Sequence, residues 1–351
     1  MVMKKRVVVI GGGFAGSYVA QKLQRDFSVT LIDSKNYFEY TPGILRTIVE
    51  PKHWKRIRVL HRKYLPNATI ILGVVLSMNE QEVQVGEKRV PFDYLVICSG
   101  SSYNLPIKEQ HAVLPVRARH LIQAHEKLVR AKNVLIIGGG LVGVELAAEI
   151  ATHYSDKKIS LIHPHQFLIE RNQLRSQIYA AKFLKNHGVN ILYRDRVIRS
   201  EHGTFVTEQG RRLHPDLAFL CTGITPNFSF LEGNFAHVLN ECHQICVNEY
   251  LQVMGFSTIF SAGDITDVSV EKTAQNAEKQ AKIVVANICA LEHGRVLKRY
   301  GAVRTPQVIN LGKWDGIFEI GKHVIIGLLP AFLKTVIERR ELWRRGLFLV
   351  L

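Results

Sequence analysis

The sequence predicts an α/β chain with two parallel-sheet units of one design, followed by a distinct C-terminal segment. Three observations carry that prediction. At residues 7–23 a short all-apolar run leads into Gly-x-Gly-x-x-Gly and then a helical pattern; the same arrangement recurs about 127 residues later, at 133–151; and the final 57 residues combine apolar side chains with excess basic charge. A chain of 351 residues, 47% hydrophobic and 22% charged, supports two or three hydrophobic cores, which excludes disordered and fibrous classes.

Residues 7–10 (Val-Val-Val-Ile) have the composition of a strand buried on both faces. Gly11 makes a tight turn, Gly13 lets backbone N–H groups approach a pyrophosphate, and Gly16 lets the following helix pack closely on the strand. A second strand at 29–32 ends in Asp33, 22 residues after Gly11, placed to accept from a ribose diol. The second copy runs from a strand at 133–137 through Gly138, Gly140, Gly143 and Glu145 to a strand at 159–162 that ends in His163. Two dinucleotide-binding units in one chain imply that electrons pass from one dinucleotide to the other.

Between the copies, residues 70–85 alternate in short strand-like runs, and a buried strand at 92–97 ends in Cys98-Ser99-Gly100. After the second copy we expect a hairpin over 192–207, a strand at 216–223 ending in Gly223, a strand from 258 ending in Gly263-Asp264, and a helix over 273–291. Small residues at strand ends let a flat ring system approach the backbone. Asp264 suits either a polyol contact or a helix cap.

Lys and Arg number 46 against 30 Asp and Glu, a formal charge of +16. The excess is local. Residues 46–63 hold seven basic residues and one acidic, and residues 295–351 hold eleven and four. Such charge points to nucleic acid, an anionic membrane or acidic ligands. No targeting or membrane-spanning segment is expected, because the apolar runs at 134–151 and 324–333 are interrupted by glycines and glutamates or are too short. Five cysteines, odd in number and mostly within apolar runs, read as reduced thiols; Cys242-x-x-x-Cys246 lacks a zinc-site spacing, and no metal is expected.

These residues resemble the flavoproteins with two Rossmann-like dinucleotide-binding domains, the glutathione reductase-like FAD/NAD(P) fold, over roughly residues 5–295. The resemblance implies FAD contacts at Gly11, Gly12, Gly13, Phe14, Ala15, Gly16, Asp33, Pro42, Arg46, Ile71, Ser99, Gly100, Gly263, Asp264 and Ala274, and NADH or NADPH contacts at Gly138, Gly140, Gly143, His163 and Gly223. It divides the chain into an FAD domain (1–112, returning at 247–295), a nucleotide domain (113–246) and a C-terminal segment (296–351) of strands and an amphipathic helix. The redox cysteine pairs of disulfide reductases are missing, so electrons must leave to an acceptor outside the chain.

The stretch 33–46, ending Thr41-Pro42-Gly-Ile-Leu-Arg46, and the helix start Lys272-Thr-Ala274-Gln275 are similar to type II NADH:quinone oxidoreductases and their ferroptosis-suppressor relatives. That resemblance implies reduction of a quinone, with Glu145 toward the nicotinamide and Lys272 and Gln275 toward the quinone. A second glutamine, Gln280, stands one place later than the family pattern, with Lys279 at the usual position. Leu328, Leu329, Phe332, Leu333, Val336 and Ile337 recur at helical spacing beside Lys334, Arg339, Arg340 and Trp343, which suits an anionic bilayer surface, a core face or a homodimer interface. The expected location is peripheral, on a cytoplasmic or other reducing-side membrane face.

Where an acid usually selects NADH, His163-Pro-His165 stands instead, which predicts use of both NADH and NADPH. Two alternatives remain open. A sulfide:quinone oxidoreductase would use Cys98 and Cys221; a nucleic-acid-binding protein would use the basic stretch 46–63 with Trp54 and Tyr64, although no recognised nucleic-acid motif is present.

Overall fold

The computed structural model describes residues 3–104, 106–108, 114–302 and 305–346. The first unit opens with β1 (Arg6–Ile10), α1 (Phe14–Leu23), β2 (Ser28–Asp33), β3 (Tyr37–Glu39), α2 (Ile44–Val49), β4 (Arg58–Leu60), α3 (His61–Tyr64) and β5 (Thr69–Leu72). It continues through an antiparallel meander, β6 (Val75–Met78), β7 (Glu82–Val85) and β8 (Lys88–Pro91), to β9 (Tyr94–Ile97) and β10 (Ser101–Ser102). The second unit comprises α4 (Leu114–Arg130), β11 (Asn133–Ile137), α5 (Leu141–His153), β12 (Lys158–His163), α6 (Leu174–Asn186), β13 (Asn190–Tyr193), β14 (Val197–Glu201), β15 (Thr204–Thr207), β16 (Arg212–Leu213), β17 (Leu217–Leu220) and β18 (Thr225–Pro226). The chain then returns through β19 (Ile259–Ser261) and α7 (Ala274–Glu292), and closes with β20 (Gln307–Asn310), β21 (Gly316–Ile320), β22 (His323–Ile326) and α8 (Leu328–Trp343).

Two parallel sheets organise these elements, in the orders β19-β9-β1-β2-β5 and β13-β12-β11-β17. β1 and β11 are apolar because each is central and covered on both faces: Val7, Val8, Val9 and Leu135, Ile136 are almost fully buried. The registers match, Ile10 opposite Ile32 and Ile97 in one sheet, and Ile137 opposite Ile162 and Leu220 in the other. α1 packs on α7, so the returning segment completes the first unit.

The helix expected over 273–291 is α7, with the Thr273 hydroxyl accepting from Asn276 N–H at 3.3 Å. The hairpin expected over 192–207 is only partly so. Residues 190–193 join the parallel sheet as β13, and the antiparallel pairing belongs to β14 and β15, which with β16 form a separate meander. The expected division near residue 112, and the apolar end at 347–351, lie outside the described residues.

The row of apolar side chains in α8 splits between two faces. Leu328, Leu329, Phe332 and Val336 are exposed, with Arg339, Arg340 and Trp343 on the same side, while Leu333 and Ile337 are half-buried. Lys334, Glu341 and Arg345 turn inward. Among the described residues no helix is long and apolar enough to cross a membrane.

A buried ion pair ties the start of the first unit to α4. Arg117, 1% exposed, donates from Nε and Nη2 to Glu39 at 3.2 Å each, and from Nη1 to the Pro106 carbonyl at 2.6 Å. Burial alone would raise the Glu39 carboxyl, but Arg117 and Lys35 hold it below its ordinary range. Arg117→Leu strands that carboxylate, and is expected to cost about 3–5 kcal/mol. Urea denaturation checks this as a lowered midpoint with unchanged slope.

Candidate functional site

The two units build matching turns. In each, the helix begins so close to its strand that a Cβ on Gly16 would lie 1.8 Å from the Gly11 carbonyl oxygen, and one on Gly143 1.9 Å from that of Gly138. Any side chain there would push α1 or α5 off its sheet. A Cβ on Gly13 or Gly140, by contrast, meets nothing within 4 Å. Both glycines line cavities, so the helix N-termini present amides to open space suited to a pyrophosphate.

The first cavity, about 460 Å³, is bounded by Gly11, Gly12, Gly13, Phe14, Ala15, Asp33 and Pro42, by Ser99 and Gly100 at the end of β9, and by Gly263, Asp264, Lys272, Ala274, Gln275 and Glu145. Gly16 supports it from beneath. Two expected residues lie elsewhere. Arg46 turns away to pair with Glu149 at 3.0 Å and with the Gly312 carbonyl at 3.3 Å. Ile71 packs half-buried against the core and does not line the cavity, and Gly73, Val74 and Val75, just after β5, form the wall instead.

Asp33 is held from several sides. Its Oδ2 accepts from Gly12 N–H at 3.1 Å and from His61 Nε2 at 2.9 Å, and its Oδ1 accepts from Lys35 N–H at 3.2 Å. His61 is fully buried and its Nδ1 lies 2.6 Å from the Tyr64 hydroxyl, which therefore donates to it. Asp264 is gripped by Ser101 Oγ at 2.6 Å and Lys108 Nζ at 2.9 Å. Burial would raise its carboxyl, but Lys108, Ser101 and Lys272 together hold it below its ordinary range. Gln280 Oε1 accepts from Gly263 N–H at 2.6 Å, so the second glutamine of α7 fixes the Gly263-Asp264 turn and does not face the cavity.

The second cavity, about 910 Å³, is lined by Gly138, Gly139, Gly140, His163, Pro164, Glu170 and Gly223, with Gly143 beneath. His163 Nδ1 accepts from Gly139 N–H at 3.0 Å, and burial lowers its pKa, so the imidazole is neutral. The cavities meet: Leu141, Val142, Ile224, Lys272 and Thr273 belong to both walls. Lys272 Nζ donates to the Thr266 and Val268 carbonyls, and burial lowers its pKa against the pull of Asp264 and Asp267.

Sequence reasoning missed the inner face of α8. Lys334, Ile337 and Glu341 line the first cavity, and Lys334 Nζ lies 2.7 Å from Glu145 Oε1, which also accepts from Asn310 N–H at 2.7 Å. Arg345 is buried against the Phe38 ring at 3.9 Å and donates to Glu341 at 2.9 Å. His61, Lys108 and these α8 residues have no motif, because their partners are distant in sequence.

The walls fit two dinucleotides. Buried atoms without hydrogen-bond partners include Ser99 Oγ and Asn227 Oδ1 in the residues around the first cavity and Asn276 Oδ1 in those around the second, as expected where a ligand completes the bonding. Gly11–Gly16, Asp33 and Asp264 would hold FAD, and Gly138–Gly143 with Gly223 the pyridine nucleotide.

Cys98 and Cys221 occupy equivalent places behind the two glycine turns and belong to different cavities. Burial pushes each thiol up to about 12, so neither is a thiolate near neutral pH. Trp54 and Tyr64 are buried, which leaves the basic stretch 46–63 without aromatics for stacking bases. In the native protein at pH 7.5, iodoacetamide is expected to label exposed Cys242 well before Cys98 or Cys221, which should react only after denaturation; peptide mass spectrometry reads the order.

Residues 5–281 match the family model described as pyridine nucleotide-disulphide oxidoreductase. Human ferroptosis suppressor protein 1 is 30% identical over 347 residues, covering 94% of this chain and 92% of that protein. Among solved structures, the sulfide:quinone oxidoreductase of Aquifex aeolicus superposes with a TM-score of 0.82 at 20% identity, covering 97% of this chain and 91% of its own. NDH2 of Plasmodium falciparum in complex with NADH gives a TM-score of 0.81 at 15% identity, covering 97% and 96%. The paired glycine turns, the two adjoining cavities and these matches place the chain in the pyridine nucleotide-disulphide oxidoreductase family, as an FAD- and pyridine nucleotide-dependent oxidoreductase.

Proposed function

We propose that this protein is an NAD(P)H:quinone oxidoreductase that works docked on an anionic membrane surface and pumps no ions. One observation carries the reading: the nucleotide cavity opens onto the flavin cavity through a shared wall, and the flavin cavity is closed on another side by α8, whose outer face is apolar and basic. In the overall reaction NAD(P)H gives up a hydride and the quinone gains two electrons and two protons, one proton coming from solvent. FAD, when bound, supplies the two-electron carrier between the substrates.

The side chains have defined tasks. The N-termini of α1 and α5 hold the two pyrophosphates. Gln275, exposed at the cavity rim, and Lys272 orient the quinone headgroup. Lys334 and Glu145 form a 2.7 Å pair with both side chains largely buried, and the Lys334 ammonium, lining the first cavity and held in place by Glu145, serves as proton donor. Leu328, Leu329, Phe332 and Trp343 enter the bilayer boundary beside Arg339 and Arg340, which brings the cavity to a lipid-dissolved acceptor. The division into an FAD domain (1–112 and 247–295) and a nucleotide domain (113–246) follows from the same reading.

Two outcomes test this. Lys334→Met is expected to lower quinone-dependent NADH oxidation by roughly 10²-fold while flavin absorbance of the purified protein stays unchanged. The triple variant Leu329→Ser, Phe332→Ser, Trp343→Ser should abolish flotation with vesicles containing anionic lipid, yet retain turnover of a short-chain soluble quinone within about twofold, because these side chains touch lipid and not the cavity. Equal flotation of the variant, or NADH oxidation that no quinone accelerates, counts against the reading.

A further inference from the structure

The nucleotide cavity contains a carboxylate that the end of its second strand lacks. In the first unit Gly12 N–H donates to Asp33 Oδ2 at 3.1 Å; in the second, Gly139 N–H donates to His163 Nδ1 at 3.0 Å, so an imidazole occupies the place of the acid. With Nδ1 accepting, Nε2 carries the ring proton and donates it to Glu170 Oε2 at 3.1 Å. Glu170 stands seven residues beyond His163, on the loop that follows β12. Its side chain is 42% exposed, and it shares the cavity wall with His163, Pro164 and the glycine turn.

Beside the glycine turn the charged group is the Glu170 carboxylate, with His165 Nε2 3.6 Å from its Oε1. Burial works against ionisation of Glu170, but its own backbone N–H and His163 hold the carboxyl below its ordinary value. Two arginines also line this cavity, and both arrive matched: Arg196 is held by Glu208 through two 3.1 Å bonds, and Arg171 lies 3.4 Å from Glu271.

We propose that Glu170 is the specificity-determining acid of the nucleotide cavity. Its carboxylate, positioned by His163, accepts from the ribose hydroxyls at the adenosine end and repels a 2′-phosphate, so the chain selects NADH over NADPH. This rests on the reading that the second cavity takes a pyridine nucleotide, and it reverses the expectation of dual use drawn from His163 alone. Selection works through a repulsive element as much as an attractive one: a fixed negative charge beside a dianionic phosphate disfavours the wrong ligand while a hydroxyl still finds an acceptor.

Calorimetric titration of the flavin-loaded protein with ADP-ribose and with 2′-phospho-ADP-ribose tests this without turnover. The wild type is expected to bind ADP-ribose at least about tenfold more tightly. Glu170→Gln keeps an oxygen acceptor for the ribose and for His163, so ADP-ribose affinity should change by less than about threefold while the phosphorylated ligand gains enough to bring the two constants together. A role confined to propping His163 would weaken both ligands equally and leave the ratio alone. An unchanged ratio in Glu170→Gln, or no discrimination by the wild type, overturns the proposal while leaving NADH-dependent quinone reduction intact. Failure of the wild type to bind either ligand overturns the nucleotide reading and this proposal together.

Discussion

Everything in this molecule depends on the contact between a helix and its strand at the two glycine turns. Gly16 over the Gly11 carbonyl, and Gly143 over that of Gly138, allow a separation that no other residue permits. That separation sets α1 and α5 at the angle where their first amides face a cavity and do not pack on protein. Cys98 and Cys221 lie against the same crossings, small enough to fit behind the glycines, and their burial there disfavours the thiolate. A shared packing constraint thus accounts for both ligand sites and for the raised thiols beside them.

The C-terminal segment joins the two sites to the exterior. α8 is anchored by Lys334 on Glu145, by Arg345 between Phe38 and Glu341, and by Arg344 on Glu278 of α7 at 3.0 Å. These ion pairs are largely shielded, so their geometry is well defined and the outer row of apolar side chains is held in one orientation. The large positive charge also divides by role. Part of it, Arg46 and Arg345 among it, is spent inside on Glu149 and Glu341, and part, Arg339 and Arg340, stays outside on the apolar face.

The duplication of the turn is followed by divergence at its edge. Asp33 and His163 accept from equivalent backbone amides, yet Asp33 is backed by a buried histidine from α3 while His163 is itself the histidine, backed by an acid from a loop. The same three elements, an amide, an imidazole and a carboxylate, are present at both sites in different order. The order decides which element supplies the carboxylate, the strand end at the first site and the following loop at the second.

The sequence alone determined the duplicated α/β architecture, the glycine turns, the strand-end positions of Asp33, Ser99, Gly223 and Asp264, and the local concentration of charge. Those features arise from constraints within a few residues: an apolar run, a backbone that needs glycine, a turn followed by a helix. It could not place side chains whose partners come from elsewhere in the chain. Arg46 and Ile71 fall within the right stretches, but Arg46 is drawn to Glu149, more than a hundred residues away, and Ile71 packs into the core beside the cavity without lining it. Lys108 and Lys334 reach the first cavity, and His61 reaches Asp33 behind it, only because sheet order and helix packing bring separate segments together. Likewise one helical stripe in α8 could be read as core, interface or membrane face. Only packing against β20 and β21 decided which of its residues turned inward to the flavin cavity and which stayed in solvent.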